Sequence, residues 1–154
     1  MVMDYRRIGL VIGLLLLTAP SLAEPLTAEA ARTMAAAAER AARAQGFAIV
    51  ISIVDSHGNL KHFHRMDGAS TRSIQVAQLK ASTSARFPLS STSHAQQDAA
   101  HPAHPYSSLP GITLLRGGLP IMDKNGQPIG GIGISGATPE LDTQFAQIAL
   151  EGDA

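Results

Sequence analysis

The stretch from Gly117 to Gly136 constrains the fold of this chain more than any other. It reads Gly117-Gly118-Leu119-Pro120-Ile121, then Gly126, then Ile129-Gly130-Gly131-Ile132-Gly133-Ile134-Ser135-Gly136. Glycines that alternate with β-branched residues belong to ordered β structure with close backbone approaches, not to a flexible linker. They remove side chains where a helix or a bound ligand must come close to the sheet. Gly131, Gly133 and Gly136 also spell G-x-G-x-x-G. That dinucleotide signature needs a strand-to-helix turn, whereas these glycines lie within a strand, so the reading is rejected.

The rest of the chain supplies what packs on this sheet. Thr27 is placed to cap a helix running to about Gln45, with Gly46 after it. Phe47 to Asp55 is apolar on both faces, as in a central strand. Ser56-His57-Gly58-Asn59 is a turn, and Leu60 to Met66 is the hairpin partner. A second helix is expected from about Ser70 to Arg86, with a small-residue face at Ile74, Ala77, Ala81 and Ala85. Pro88 to Leu109 is rich in Ser, Gln, His and Pro, and reads as a long surface loop with a helical turn near Ala95 to Ala99. Three more strands are expected at Ile112 to Arg116, Leu119 to Asp123 and Gln127 to Ser135, then a helix from Thr138 or Pro139 to about Leu150. The order α-β-β-α-β-β-β-α predicts an α+β fold, a five-stranded antiparallel sheet flanked by helices.

The N-terminus reads as a leader. Arg6-Arg7 precedes a short apolar run from Ile8 to Leu17, too short to span a bilayer, and Ser21-Leu22-Ala23 fits a signal-peptidase site. Cleavage after Ala23 would leave residues 24–154 as one domain, exported to the periplasm or beyond; the alternative is an uncleaved N-terminal anchor. Ile8-Gly9-Leu10 matches poorly the residues a twin-arginine pair requires after it, so Sec-type export is expected. The whole chain has 12 basic and 12 acidic residues, and losing Asp4, Arg6 and Arg7 shifts the balance to about −1. No basic patch points to nucleic acid. Cysteine is absent, which excludes disulfides, thiolate catalysis, cysteine-ligated zinc and covalent Cys-x-x-Cys-His haem attachment.

Several pieces occur in a telling order: Ile53-Val54-Asp55-x-x-Gly58-x-Leu60, Arg65-Met66-Asp67-Gly68-Ala69, Lys80-Ala81 with Phe87 after them, Pro110-Gly111, the two glycine blocks, and Asp142. No single piece is specific, but the ordered set resembles the GlcG/HbpS (DUF336) family of haem-binding and haem-degrading-type proteins. The resemblance implies a profilin-like α+β fold, homo-oligomerisation and non-covalent haem b as cofactor. It also places Thr92 and His94 near a haem-contacting position. Between Phe87 and Leu109 the chain departs from the family, with Pro88-Leu89-Ser90-Ser91-Thr92-Ser93-His94 where many relatives carry a Phe-x-x-Pro-Thr-type start.

The histidines are the strong metal-ligand candidates, because haem iron takes a neutral imidazole most often. His94 ranks first as axial ligand. His104 and His101 share its loop but sit in a low-complexity His-Pro-Ala-His-Pro run. His62 and His64, two apart on a strand, share a face and could chelate one metal ion with further ligands from elsewhere; an exposed strand face explains them as well. His57 sits at a turn. Arg65 and Lys80 could pair a haem propionate or a substrate carboxylate, and Asp67 could cap the second helix. The leading expectation is an exported haem-binding protein acting in haem capture, transfer, sensing or degradation. Two alternatives stand beside it: a cofactor-independent or metal-assisted enzyme on a small carboxylate, and an oligomeric interaction protein without a ligand of its own.

Overall fold

The computed structural model describes residues 23–152; the expected leader, Ala23 apart, lies outside them. The elements in chain order are α1 (Ala28–Ala44), β1 (Val50–Asp55), β2 (Leu60–Arg65), α2 (Arg72–Arg86), α3 (Ser91–Ala100), β3 (Gly118–Met122), β4 (Pro128–Ser135) and α4 (Pro139–Glu151). The strands form one antiparallel sheet in the order β2-β1-β4-β3. No helix among the described residues is long and apolar enough to cross a membrane.

The two hairpins are built alike. The Asp55 carboxylate accepts the amides of His57 and Asn59, both at 2.9 Å. The Asp123 carboxylate accepts those of Asn125 and Gln127, both at 2.8 Å. In each, a three-residue loop ends on a glycine in the left-handed region, Gly58 at φ +85° and Gly126 at φ +74°, which is the geometry that lets a short loop return into the ladder.

One face of the sheet carries Ile49, Ile51, Ile53, Ile132 and Ile134 against α1 and α4, with Phe145 fully buried among them. Thr27 caps α1 by accepting the Ala30 amide at 3.0 Å, and Thr138 caps α4, which has Pro139 in its first turn. The other face carries Val50 and Val54 against Ala77, Ala81 and Ala85 of α2. Here the glycines act. A Cβ on Gly131 would collide with the Ala81 carbonyl, and one on Gly133 with the Ala77 carbonyl and the Ala81 amide. A Cβ on Gly118 would sit 2.8 Å from the Lys80 carbonyl and from Ser84 Oγ. The backbone of α2 therefore rests directly on the backbone of β3 and β4.

The sheet has four strands where the sequence predicts five. Ile112 to Arg116 has no ladder partner; Thr113 donates its amide to Thr83 Oγ1 instead, at 3.1 Å, which docks the segment on α2. The expected loop from Pro88 is in large part the helix α3. Ser90 Oγ caps it by accepting the Ser93 amide at 3.1 Å. Asp67 is exposed and does not cap α2, which begins at Arg72 after Thr71.

Candidate functional site

The most unusual side chain among the described residues is His94. It lies on α3 and is fully buried. Neither ring nitrogen has a hydrogen-bond partner, although buried polar atoms are nearly always paired. Burial lowers its pKa below the ordinary 6.5, so at neutral pH the imidazole is uncharged and keeps a lone pair for a ligand or metal.

Aromatic rings surround it. Phe87, just beyond α2, and Tyr106 stand edge-on to the imidazole, with ring centroids 5.9 and 5.0 Å away. Phe87 and Tyr106 also touch each other at 5.6 Å. Tyr106 is held in place by Asp98, one turn of helix after His94. The Asp98 carboxylate accepts the amides of Tyr106 (2.8 Å) and Ser107 (3.0 Å) and the Ser107 hydroxyl (3.0 Å). Burial works to raise the Asp98 pKa, but these bonds and His104 outweigh it and hold it below the usual carboxylate value. At its start, α3 is tied to the sheet through Ser91, whose hydroxyl accepts the Gly118 amide at 3.2 Å.

The other expected site residues lie apart from this pocket or serve the scaffold. Thr92 is half-buried on α3, and two residues of helix turn it away from the direction of His94. His104 is exposed, with Nδ1 3.4 Å from Asp98 Oδ2, and adopts φ +42°. His101 is exposed and accepts the Ala103 amide at 3.1 Å. His57 is exposed at its turn. His62 and His64 pair with Ile53 and Ile51 across the ladder, so both sit on the α1 side of the sheet. His64 Nε2 lies 3.3 Å from Glu39 Oε2, close enough to attract but out of hydrogen-bond alignment. Burial first, then the charges of His64 and Arg32, lower the His62 pKa. Among the described residues no group of three or more His, Cys, Asp or Glu side chains could hold a metal ion, so this pair lacks the further ligands it would need.

Arg65 closes the bend after β2, donating Nε (3.1 Å) and Nη2 (2.8 Å) to the Ala69 carbonyl. Lys80 is buried, and its ammonium donates to Asp142 Oδ2 at 2.9 Å and to the Ile134 carbonyl at 2.6 Å. Asp142 in turn accepts the Ala137 amide on its other oxygen at 3.0 Å. The pair bolts α2 to α4 across the end of β4. Sequence reasoning missed this ion pair, although a lysine within the small-residue face of α2 was its visible trace. It also missed Tyr106 and Asp98, whose surroundings in the chain carry no periodic signal.

Comparison with known proteins bears on the whole described domain. Residues 26–151 match the family described as "Haem degrading protein HbpS-like". A 15.0 kDa protein of Citrobacter freundii, encoded between dhaT and dhaS, is 36% identical over 134 residues, 82% of this chain and 90% of that one. The crystal structure of a doubly substituted HbpS from Streptomyces reticuli superposes with a TM-score of 0.78 at 34% identity, covering 85% of this chain and 88% of the other. A crystal structure of a PduOC–haem complex superposes at 0.76 with 30% identity, over 84% and 95% of the two chains. A family match across the whole described core, with this fold, makes the chain a member of the HbpS-like family.

Proposed function

We propose that this protein binds haem b non-covalently, with His94 as the residue that meets the iron. The carrying observation is a fully buried imidazole with two unpartnered nitrogens, packed edge-on against two aromatic rings. The residues suit the group: the imidazole would offer the iron a nitrogen lone pair, and Phe87 and Tyr106 would offer apolar surface to a porphyrin. Support comes from the family match and from the haem complex of the PduOC relative. His94 is covered in the structure, so a ligand reaches it by lifting α3 together with its Asp98-held loop away from Phe87. The Ser91–Gly118 contact is the tether such a movement loosens.

The bound haem would serve capture, transfer, sensing or degradation outside the cytoplasm, in an exported homo-oligomer. The leader-like N-terminus and the small-residue helix faces support that wider reading.

Hemin titration followed at the Soret band tests the site. The wild type should show a saturable shift at fixed stoichiometry, with affinity falling at least tenfold and the band moving in His94→Ala. An identical titration in the variant would remove His94 from the site, and absence of a saturable shift in the wild type would end the haem reading.

A further inference from the structure

A second site lies at the other end of α2. A cleft of about 440 Å³ opens between the first turn of α2 and the start of α4. Arg72 and Arg116 stand at its lining, with Ser73, Lys80, Ser135 and Asp142 among the residues beneath. Ser73 and Ser135 are only 7% and 8% exposed, yet their hydroxyls bond to nothing among the described residues. The two residues are buried, but both line the cleft, and hydroxyls without a protein partner there are donors that a polar ligand could use. The Lys80 ammonium has three N–H donors, and two are spoken for by Asp142 and the Ile134 carbonyl.

The charge count decides the ligand class. Lys80 is matched by Asp142 at 2.9 Å and Arg116 by Glu140 at 3.0 Å. Both Asp142 oxygens already accept bonds, from Lys80 and the Ala137 amide. Arg72 has no acidic partner among the described residues, which leaves one positive charge. That balance suits a monoanion and leaves a dianion undercompensated. A guanidinium also takes a carboxylate in a two-bonded fork. We propose that this cleft binds a carboxylate, with Arg72 as charge partner and Ser73, Ser135 and the third Lys80 N–H as donors below it.

The carboxylate belongs to a small free acid or to the propionate of a haem other than one held at His94, because the length of α2, about 22 Å, separates the two sites. The site does not depend on His94, so the two readings fail separately. The test titrates the full chain with L-lactate and with inorganic phosphate at constant ionic strength, following the Ser73 and Ser135 amides by NMR. Lactate should bind saturably. Its affinity should fall at least tenfold in Arg72→Gln and in the Ser73→Ala, Ser135→Ala double variant, both checked for folding by circular dichroism, and stay unchanged in His94→Ala. Hemin and its dimethyl ester, titrated in parallel, identify the source. A tenfold loss for hemin but not the ester in Arg72→Gln assigns the carboxylate to haem, whereas lactate binding alone assigns it to a free acid. Phosphate binding tighter than lactate, lactate binding indifferent to these substitutions, or neither lactate binding nor an effect on hemin would overturn the proposal.

Discussion

At the scale of single residues, two buried ionisable side chains have opposite consequences. His94 has a folded-state pKa below its ordinary 6.5, because burial penalises the charged ring. As pH falls through 6.5 the unfolded chain takes up a proton that the folded chain refuses, so stability is complete above that pH and is lost below it. The slope is at most about 1.4 kcal/mol per pH unit and ends at the folded pKa. Urea midpoints of the wild type should therefore decline from pH 7 to 5 more steeply than those of His94→Phe; parallel curves would contradict it. Lys80 and Asp142 satisfy each other, so the cost appears only when one is removed. Lys80→Met leaves a buried carboxylate unmatched and should cost about 3–5 kcal/mol. Adding Asp142→Asn should recover part of that loss, although Asp142→Asn alone destabilises. A double-mutant cycle in urea measures the sign reversal, and simple additivity would dismiss the pair as a structural unit.

At the scale of elements, α2 and β4 meet through backbone, and the glycines that permit this can be told apart by what a methyl would strike. Gly133→Ala puts a carbon into the Ala77 carbonyl and the Ala81 amide, and should cost at least about 3 kcal/mol, the upper end for overpacked cores. Gly126→Ala meets nothing within 4 Å and suffers only from its φ of +74°, a strain of about 1–2 kcal/mol. Urea denaturation of the two variants should rank them in that order. This layer was legible in the sequence: Ile132 and Ile134 alternating with Gly131 and Gly133 declared both the buried face and the bare one. The helix caps at Thr27 and Thr138 were equally readable. What was not legible lay between Phe87 and Gly117. No apolar residue in Ser91–Ala100 repeats at helical period, because the face α3 buries is polar: Ser91, His94 and Asp98. Its order comes from Ser90 at one end and from Asp98 gripping Tyr106 and Ser107 at the other, and such contacts leave no periodic trace. Ile112 to Arg116 has strand composition, but it pairs with neither edge strand of the sheet. The Thr83 hydroxyl claims the amide of Thr113 instead.

At the scale of the molecule, the sheet separates an apolar layer of α1 and α4 from a layer in which α2 stands almost alone. The exposed side chains Leu60, Leu89, Leu109, Leu115 and Met122 are scattered over loops and strand ends. The proposed export and self-association are read by mass: the secreted product should begin at Glu24, and light scattering should give a multiple of the mature chain's mass. An intact N-terminus or a monomer at micromolar concentration would refute the corresponding half. The seat of α2 also governs how this protein can change over generations. A surface made by leaving atoms out offers no gradual path, since the smallest added side chain already strikes the backbone of α2, which no exchange of neighbouring side chains removes. The middle of α2 is thus closed to drift, whereas its two ends, Arg72 beside the cleft and Phe87 beside His94, have side chains that can be exchanged one at a time. Descendants of this chain should diverge in what they hold at those ends long before they diverge in how the helix lies.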